Sequence, residues 1–176
     1  MLFRSMRNLP CTAVCLLLFA TAACGYRLGA HPCESPIAAK SIAIPLFEND
    51  SFEPRLENLF TMAFRERIKA LPCVSLGSRE EADALLKGRI VSVDSYTVAV
   101  NESFFAMEYR MHVVLAVSLE RCGDGVVLWR EDRLEEEVSF YATSDPLLFK
   151  DNREEALMRL SSRMSERAVD RLLLGF

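Results

Sequence analysis

The chain has 176 residues, of which 26% are charged and 51% are hydrophobic, a composition typical of a globular protein rather than a disordered one. Its formal net charge is −4. This disfavours a nucleic-acid partner, because affinity for nucleic acid depends on neutralising phosphates with Lys and Arg. An anionic ligand would need a local patch of basic side chains.

The N-terminus has the three parts of an export signal. Arg4 and Arg7 supply positive charge, an apolar stretch runs from Cys11 to Ala23, and small residues precede Cys24. The apolar stretch is well short of the roughly 20 residues that span a bilayer as a helix. We predict that residues 1–23 are a lipoprotein signal peptide.

The small residues before Cys24 resemble a lipobox, although Thr21 stands where that motif usually has Leu. Acylation of Cys24 would anchor the mature chain stably in a membrane. In bacterial lipoproteins an Asp after the Cys commonly signals inner-membrane retention, so Gly25 favours the outer membrane. The alternative is an ordinary secretory signal that leaves Cys24 as a free thiol.

Residues 24–36 form the predicted lipidated N-terminus and tether, and residues 37–176 form a single predicted domain. With Cys24 acylated, Cys33, Cys73 and Cys122 remain in an oxidising compartment. Cys33 and Cys73 are the first candidates for a disulfide, because both precede strands that we expect to be neighbours. Three reduced thiols are an equally good interpretation.

The first half of the domain predicts a strand, a helix and a second strand. The strand covers 41–46, the helix opens near Pro54 with a repeating apolar stripe and ends at Pro72, and the second strand covers 73–76. A strand–helix–strand unit predicts a right-handed crossover and parallel pairing of the two strands.

Three long strands and a helix follow. The strands cover 85–100, with a bulge near 91–94, then 107–119 and 126–140, and the helix begins at Asn152. Together these elements predict an α+β fold. Two amphipathic helices pack on one face of a mixed, mostly antiparallel β-sheet, as a two-layer sandwich.

The sequence predicts no catalytic, metal or cofactor site. It contains no GxSxG, HExxH, P-loop or GxGxxG motif, and its two histidines, His31 and His112, have no partner at ligand spacing. We therefore predict a non-enzyme.

Several segments, in their order and spacing, resemble the lipopolysaccharide-assembly lipoprotein family LptE. The segments are Cys24-Gly25-Tyr26-Arg27-Leu28, Ile42–Asn49, Phe52–Glu57, Ala82–Ile90, Val127-Leu128-Trp129 and Glu154-Glu155-Ala156. The resemblance implies a non-enzymatic outer-membrane lipoprotein that faces the periplasm. It also implies a large β-barrel partner, LptD-like, which the lipoprotein plugs and with which it delivers lipopolysaccharide to the outer leaflet.

Members of the family are also described as binding lipopolysaccharide through basic residues, which the matched motifs do not include. On physical grounds Lys87, Arg89 and Arg110 are the candidates, because they lie on the predicted polar face of the strands. The alternative is cross-strand pairing with Glu108, Glu120 or the acids 135–137. A different function, a periplasmic docking or activating lipoprotein for a cell-wall synthase or secretion complex, also fits the size and the tether.

Overall fold

A computed structural model describes residues 39–72, 74–103 and 105–175. Its elements, in chain order, are β1 (Ser41–Ala43), β2 (Glu48–Asn49), α1 (Leu56–Lys69), β3 (Ser75–Leu76), β4 (Ala84–Val100), β5 (Ala106–Arg121), β6 (Val127–Tyr141) and α2 (Pro146–Leu174). The predicted α+β fold with two helices and a mixed sheet is confirmed.

The strands form one sheet in the order β3-β1-β4-β5-β6, and β2 pairs with β4 further along that strand. β1 lies parallel to both β3 and β4, as the strand–helix–strand unit predicts. The long strands β4, β5 and β6 are antiparallel. The predicted bulge is confirmed, since Ile90 pairs with Leu115 and Ser92 pairs with Val114, leaving Val91 between them.

The core lies between the helices and one face of the sheet. The stripe of α1 buries Phe60, Phe64 and Ile68 completely. Strand β5 contributes every second side chain to the same core, because successive residues of a strand point to opposite faces. Its buried residues on that face are Met111, Val113, Leu115, Val117 and Leu119.

The predicted start of the last helix at Asn152 is wrong, because α2 begins at Pro146. The side chain of Asp145 caps the helix by accepting a hydrogen bond from the amide of Leu147 at 2.9 Å. Asp followed by Pro supplies a cap and a first residue whose missing N–H costs nothing there. Asn152 lies in the second turn and donates to the carbonyl of Tyr141 at 3.1 Å.

Cys24 and both cysteines of the candidate disulfide, Cys33 and Cys73, lie outside the described residues. Cys122 is a half-buried free thiol beside the β5–β6 turn. The disulfide stays a prediction.

A bidentate ion pair joins the loop before α1 to α2. The guanidinium of Arg153 donates to both carboxylate oxygens of Glu53, at 2.7 and 2.6 Å, and both side chains are partly buried. The hydrogen bonds from Arg153 lower the pKa of Glu53 below its ordinary value of 4.5, although partial burial opposes them. The pair therefore favours the charged carboxylate in the folded state.

We expect Glu53→Gln to destabilise the fold by about 1 kcal/mol at neutral pH. The lowered pKa contributes stability above the unfolded-state pKa, and this is lost as pH falls through the folded-state value. The difference between the wild type and the variant should therefore shrink at pH values below 4.5. Urea unfolding, followed by the fluorescence of the single Trp, measures it. Glu66→Gln is the control, since its pair with Lys69 is exposed, and an equal loss in both variants would contradict the prediction.

Candidate functional site

Asp83, of the Ala82-Asp83 motif, connects β1 to the start of β4 by hydrogen bonds. One carboxylate oxygen of Asp83 accepts hydrogen bonds from the amides of Lys40 and Ser41 and from the hydroxyl of Ser41, each at 2.9 Å. The backbone bond from Ser41, with the others, lowers the pKa of Asp83. This motif residue therefore has a folding role.

Gly88, in the same motif, makes room for an aromatic ring. A Cβ at Gly88 would overlap the ring of Phe47, which is buried and packs against Phe64 with the ring centroids 5.0 Å apart. The amide of Phe47 also donates to the hydroxyl of Thr61 at 3.0 Å. Only glycine allows this close approach of ring and strand.

Asn49 organises the loop that leads into α1. Its side-chain amide donates to the carbonyl of Glu53 at 2.8 Å and to the carboxylate of Glu57 at 3.1 Å. Its side-chain oxygen accepts from the amide and the hydroxyl of Ser51. Folding contacts thus account for these motif residues, which leaves the exposed cations of the sheet as the candidate ligand surface.

The face of the sheet opposite the helices carries a shallow hollow of about 440 Å³. Its charged lining comprises four cations and three acids: Arg79, Lys87, Arg89 and Arg130, with Glu48, Glu120 and Asp132. Two of the predicted basic residues, Lys87 and Arg89, therefore lie together on this open face. They come together because they are two residues apart on β4 and point the same way.

Each of these two cations has an acidic neighbour. Lys87 pairs with Glu120 of β5, as cross-strand pairing predicts, and the ammonium lowers the pKa of that carboxyl. Arg89 pairs with Asp50, which the sequence analysis did not consider, at 3.5 Å. Both basic side chains remain about half exposed, at 49% for Lys87 and 51% for Arg89. They stay accessible to an anion from solvent.

Arg110 lies apart from the other two, nearer the β6 edge. It pairs with Glu137 at 3.7 Å, and the hydroxyl of Tyr96 donates to the same carboxyl group at 3.1 Å. Glu137 belongs to the acid run 135–137, so this predicted pairing is confirmed. A second depression, of about 410 Å³, brings Arg110 together with Arg159 and Arg163 of α2. It contains three cations and one acid.

Sequence reasoning missed the basic residues contributed by α2. Arginines recur every fourth residue along this helix and so share one side of it. We call Arg159, Arg163, Arg167 and Arg171 the arginine clasp. A spacing of four residues is equally typical of the solvated side of an amphipathic helix, so the sequence alone does not indicate their position.

The arginine clasp covers the outer edge of β6. Arg159 donates to the carbonyl of Ser139 at 3.3 Å, and Arg167 donates to the carbonyl of Glu135 at 3.1 Å. Arg167 also pairs with the carboxylate of Glu136 at 2.7 Å. Backbone acceptors at a sheet edge attract foreign strands when they are free. The clasp, with Asn152 on the Tyr141 carbonyl, occupies three of them.

Neither a metal site nor a membrane-spanning helix is present in the described part of the chain. Within residues 39–72, 74–103 and 105–175, no three His, Cys, Asp or Glu side chains are placed to hold a metal ion. Neither described helix has an apolar stretch long enough to cross a membrane.

Solved structures of bacterial lipoproteins share the fold. An uncharacterized lipoprotein B from Nitrosomonas europaea is 14% identical, with a TM-score of 0.52 over 85% of this chain and 90% of that one. A lipoprotein from Caulobacter crescentus is 11% identical, with a TM-score of 0.51 over 73% of this chain and 88% of that one. No curated protein sequence matches the chain.

The sequence itself matches a family model described as lipopolysaccharide-assembly, LptE, over residues 39–172. The match spans most of the chain and every described helix and strand begins within it. The match supports a role in lipopolysaccharide assembly. Because it covers most of the chain, the chain belongs to the LptE family.

Proposed function

We propose that this chain is a periplasm-facing outer-membrane lipoprotein that partners and plugs a large β-barrel, LptD-like, in lipopolysaccharide transport. The observation that carries the proposal is the match to the LptE family over residues 39–172. The export signal, the lipobox-like residues before Cys24 and the Gly25 that follows support the anchor and its membrane.

Lipopolysaccharide phosphates are the proposed ligands of Lys87, Arg89 and Arg110. The first two lie half exposed in an open hollow, and their acidic partners hold them only by surface ion pairs. Such pairs contribute about 0–1 kcal/mol, so a phosphate that brings several charges can replace them. Arg110 lies in the depression where cations outnumber acids. The chain as a whole is acidic, so these local patches would supply the affinity.

A crosslinked pull-down tests the partner. The tagged full-length chain is crosslinked in intact cells, purified from membranes, and its partner identified by mass. We expect a large outer-membrane barrel, in an amount comparable to the tagged chain. Recovery of only a cell-wall synthase or a secretion component would favour the docking-lipoprotein function instead. Recovery of nothing above an untagged control would also contradict the proposal.

Replacing both Lys87 and Arg89 by Ala should weaken binding of purified lipopolysaccharide by about tenfold, because two phosphate contacts are lost. Titration of the detergent-solubilised chain with lipopolysaccharide measures the change. Lys150→Ala is the control, because Lys150 is an exposed lysine at the start of α2, outside both basic depressions. Equal binding by the double variant and the wild type would show that Lys87 and Arg89 do not bind lipopolysaccharide.

Cys24→Ser should release the chain from membranes. The acyl chains on Cys24 are the only proposed anchor, and each buried CH₂ contributes about 0.8 kcal/mol to membrane binding. Cell fractionation with immunoblotting measures the distribution, and Cys122→Ser is the matched control, because it removes a thiol that has no proposed lipid. If Cys24→Ser stays in washed outer membranes from cells that lack the barrel partner, acylation of Cys24 is not the anchor.

A further inference from the structure

The two long edges of the sheet differ in how far other parts of the chain cover them. The β6 edge is covered by the arginine clasp and Asn152. The outer side of β4 pairs with β1 at 84–85 and with β2 at 89–90, and its last hydrogen bond is from the amide of Asp50 to the carbonyl of Ile90 at 2.9 Å. Beyond that point, no strand of the described chain pairs with it. We call Ser92–Val100 the open edge.

Between Ser92 and Thr97 the open edge lacks most of the features that normally discourage strand pairing. Edge strands are usually protected by charged side chains, especially Lys, by Pro, by bulges or by being short. The open edge has neither Lys nor Pro, carries Asp94 as its only charge, and is rich in Val, Tyr and Thr. Its pairing with β5 is irregular just before Ser92 and again at 97–100, so the regular and unprotected part of the open edge is 92–97. The same chain thus blocks one edge and leaves another ready to pair.

Side chains around the open edge are mostly apolar and acidic, and Arg110, across from Tyr96 on β5, is paired with Glu137. Tyr96, Val98 and Val100 are exposed on β4, and Phe105 and Met107 are exposed where the hairpin turns into β5.

Three acids lie near the turn of this hairpin, Asp94, Glu102 and Glu108, and none of them forms an ion pair with another described residue. A partner that carries apolar side chains together with Lys or Arg would complement this surface.

We propose that the open edge binds an extended, basic segment of the barrel partner, which adds to the sheet as a further strand beside β4. Only an extended backbone can satisfy the alternating N–H and C=O groups of such an edge along its length. Apolar side chains of the segment would cover Val98 and Val100, and a basic side chain would meet Asp94. The identity of the partner rests on the proposed function, whereas the pairing rests on the edge.

Hydrogen exchange at single-residue resolution tests the pairing. The full-length chain is compared in detergent, alone and in its purified membrane complex. Strand addition predicts that every second amide of 92–97, those pointing away from β5, exchanges about tenfold or more slowly in the complex. The intervening amides and those of β6 should not change. Uniform protection, or none, would overturn the proposal, as would alternate protection that grows with concentration in the chain alone, since a second copy would then occupy the edge.

Charge at the edge provides a second, matched test. Ser95 and Thr97 are exposed and can carry longer side chains without a change in the core. Ser95→Lys with Thr97→Lys should reduce recovery of the barrel in the pull-down by about tenfold, because two cations face a basic segment. Ser95→Glu with Thr97→Glu should recover it at the wild-type level or above. The unfolding midpoints of both variants confirm that each is folded.

The outcomes separate this inference from the proposed function. If the wild-type chain recovers the barrel and the Lys and Glu variants recover it in equal amounts, the proposal that the open edge binds a basic segment is wrong, and the proposed function stands. Wild-type chain that recovers no barrel would overturn the proposed function, and with it the partner named here.

Discussion

Gly88→Ala is expected to destabilise the fold by about 3 kcal/mol, because an added methyl group overpacks a filled core. Its Cβ would overlap the ring of Phe47. That ring cannot move aside, since it is buried and packed against Phe64. Urea unfolding with Trp129 fluorescence gives the free energy of unfolding.

A double-mutant cycle shows whether the ring is the cause. Phe47→Ala alone should cost about 3–5 kcal/mol through the cavity it leaves. In that background, Gly88→Ala should cost under about 1 kcal/mol, because the clash has gone. Gly77→Ala is the control, since a Cβ there would lie 3.5 Å from the Cβ of Ala82, an ordinary contact. If Gly88→Ala were as mild as Gly77→Ala, the close packing would be refuted.

Removing Arg163 and Arg167 together by alanine substitution should destabilise the fold by about 3 kcal/mol, because an acid would be left without its cations. The side chain of Glu136 is only 12% exposed, and its ion-pair partners are these two arginines. The loss also uncovers the carbonyl of Glu135 on the β6 edge. Urea unfolding measures the first effect, and sedimentation velocity measures association through the uncovered edge.

Two further variants identify the cause of that loss. Adding Glu136→Leu to the double variant should restore most of the stability, because it removes the uncompensated charge. Lys150→Ala should change stability by under about 0.5 kcal/mol, since its pair with Glu154 is exposed. A triple variant no more stable than the double one would show that the arginines act by packing and not through Glu136.

Local patterns predicted most of the fold. The alternation of β5 and the apolar stripe of α1 depend on the periodicity of a strand and of a helix, which are properties of neighbouring residues. The parallel pairing of β1 and β3 followed from connection rules. The start of α2 was missed because Asn152 with Glu155 matches a capping pattern, whereas Asp145 with Pro146 is the pair that operates.

The candidate surfaces were predictable only in part. Strand periodicity placed Lys87 and Arg89 on one face. It could not place Arg110 beside Arg159 and Arg163, because that neighbourhood depends on where α2 docks against β6. Nor could it show the open edge, since an unpaired strand edge is defined by which strands are absent beside it. Such features depend on tertiary arrangement rather than on any local sequence signal.

The attachment of β1 has a mechanical consequence if the proposed anchor at Cys24 is correct. A chain anchored upstream pulls on Lys40 and Ser41, which Asp83 holds at the start of β4. β1 lies between β3 and β4, with strand partners on both sides. Tension along β1 therefore shears several hydrogen bonds at once, instead of peeling them open one after another. If the chain is anchored through Cys24 as proposed, a pull on it reaches an interior strand of the sheet and is shared with the long β4–β5 hairpin.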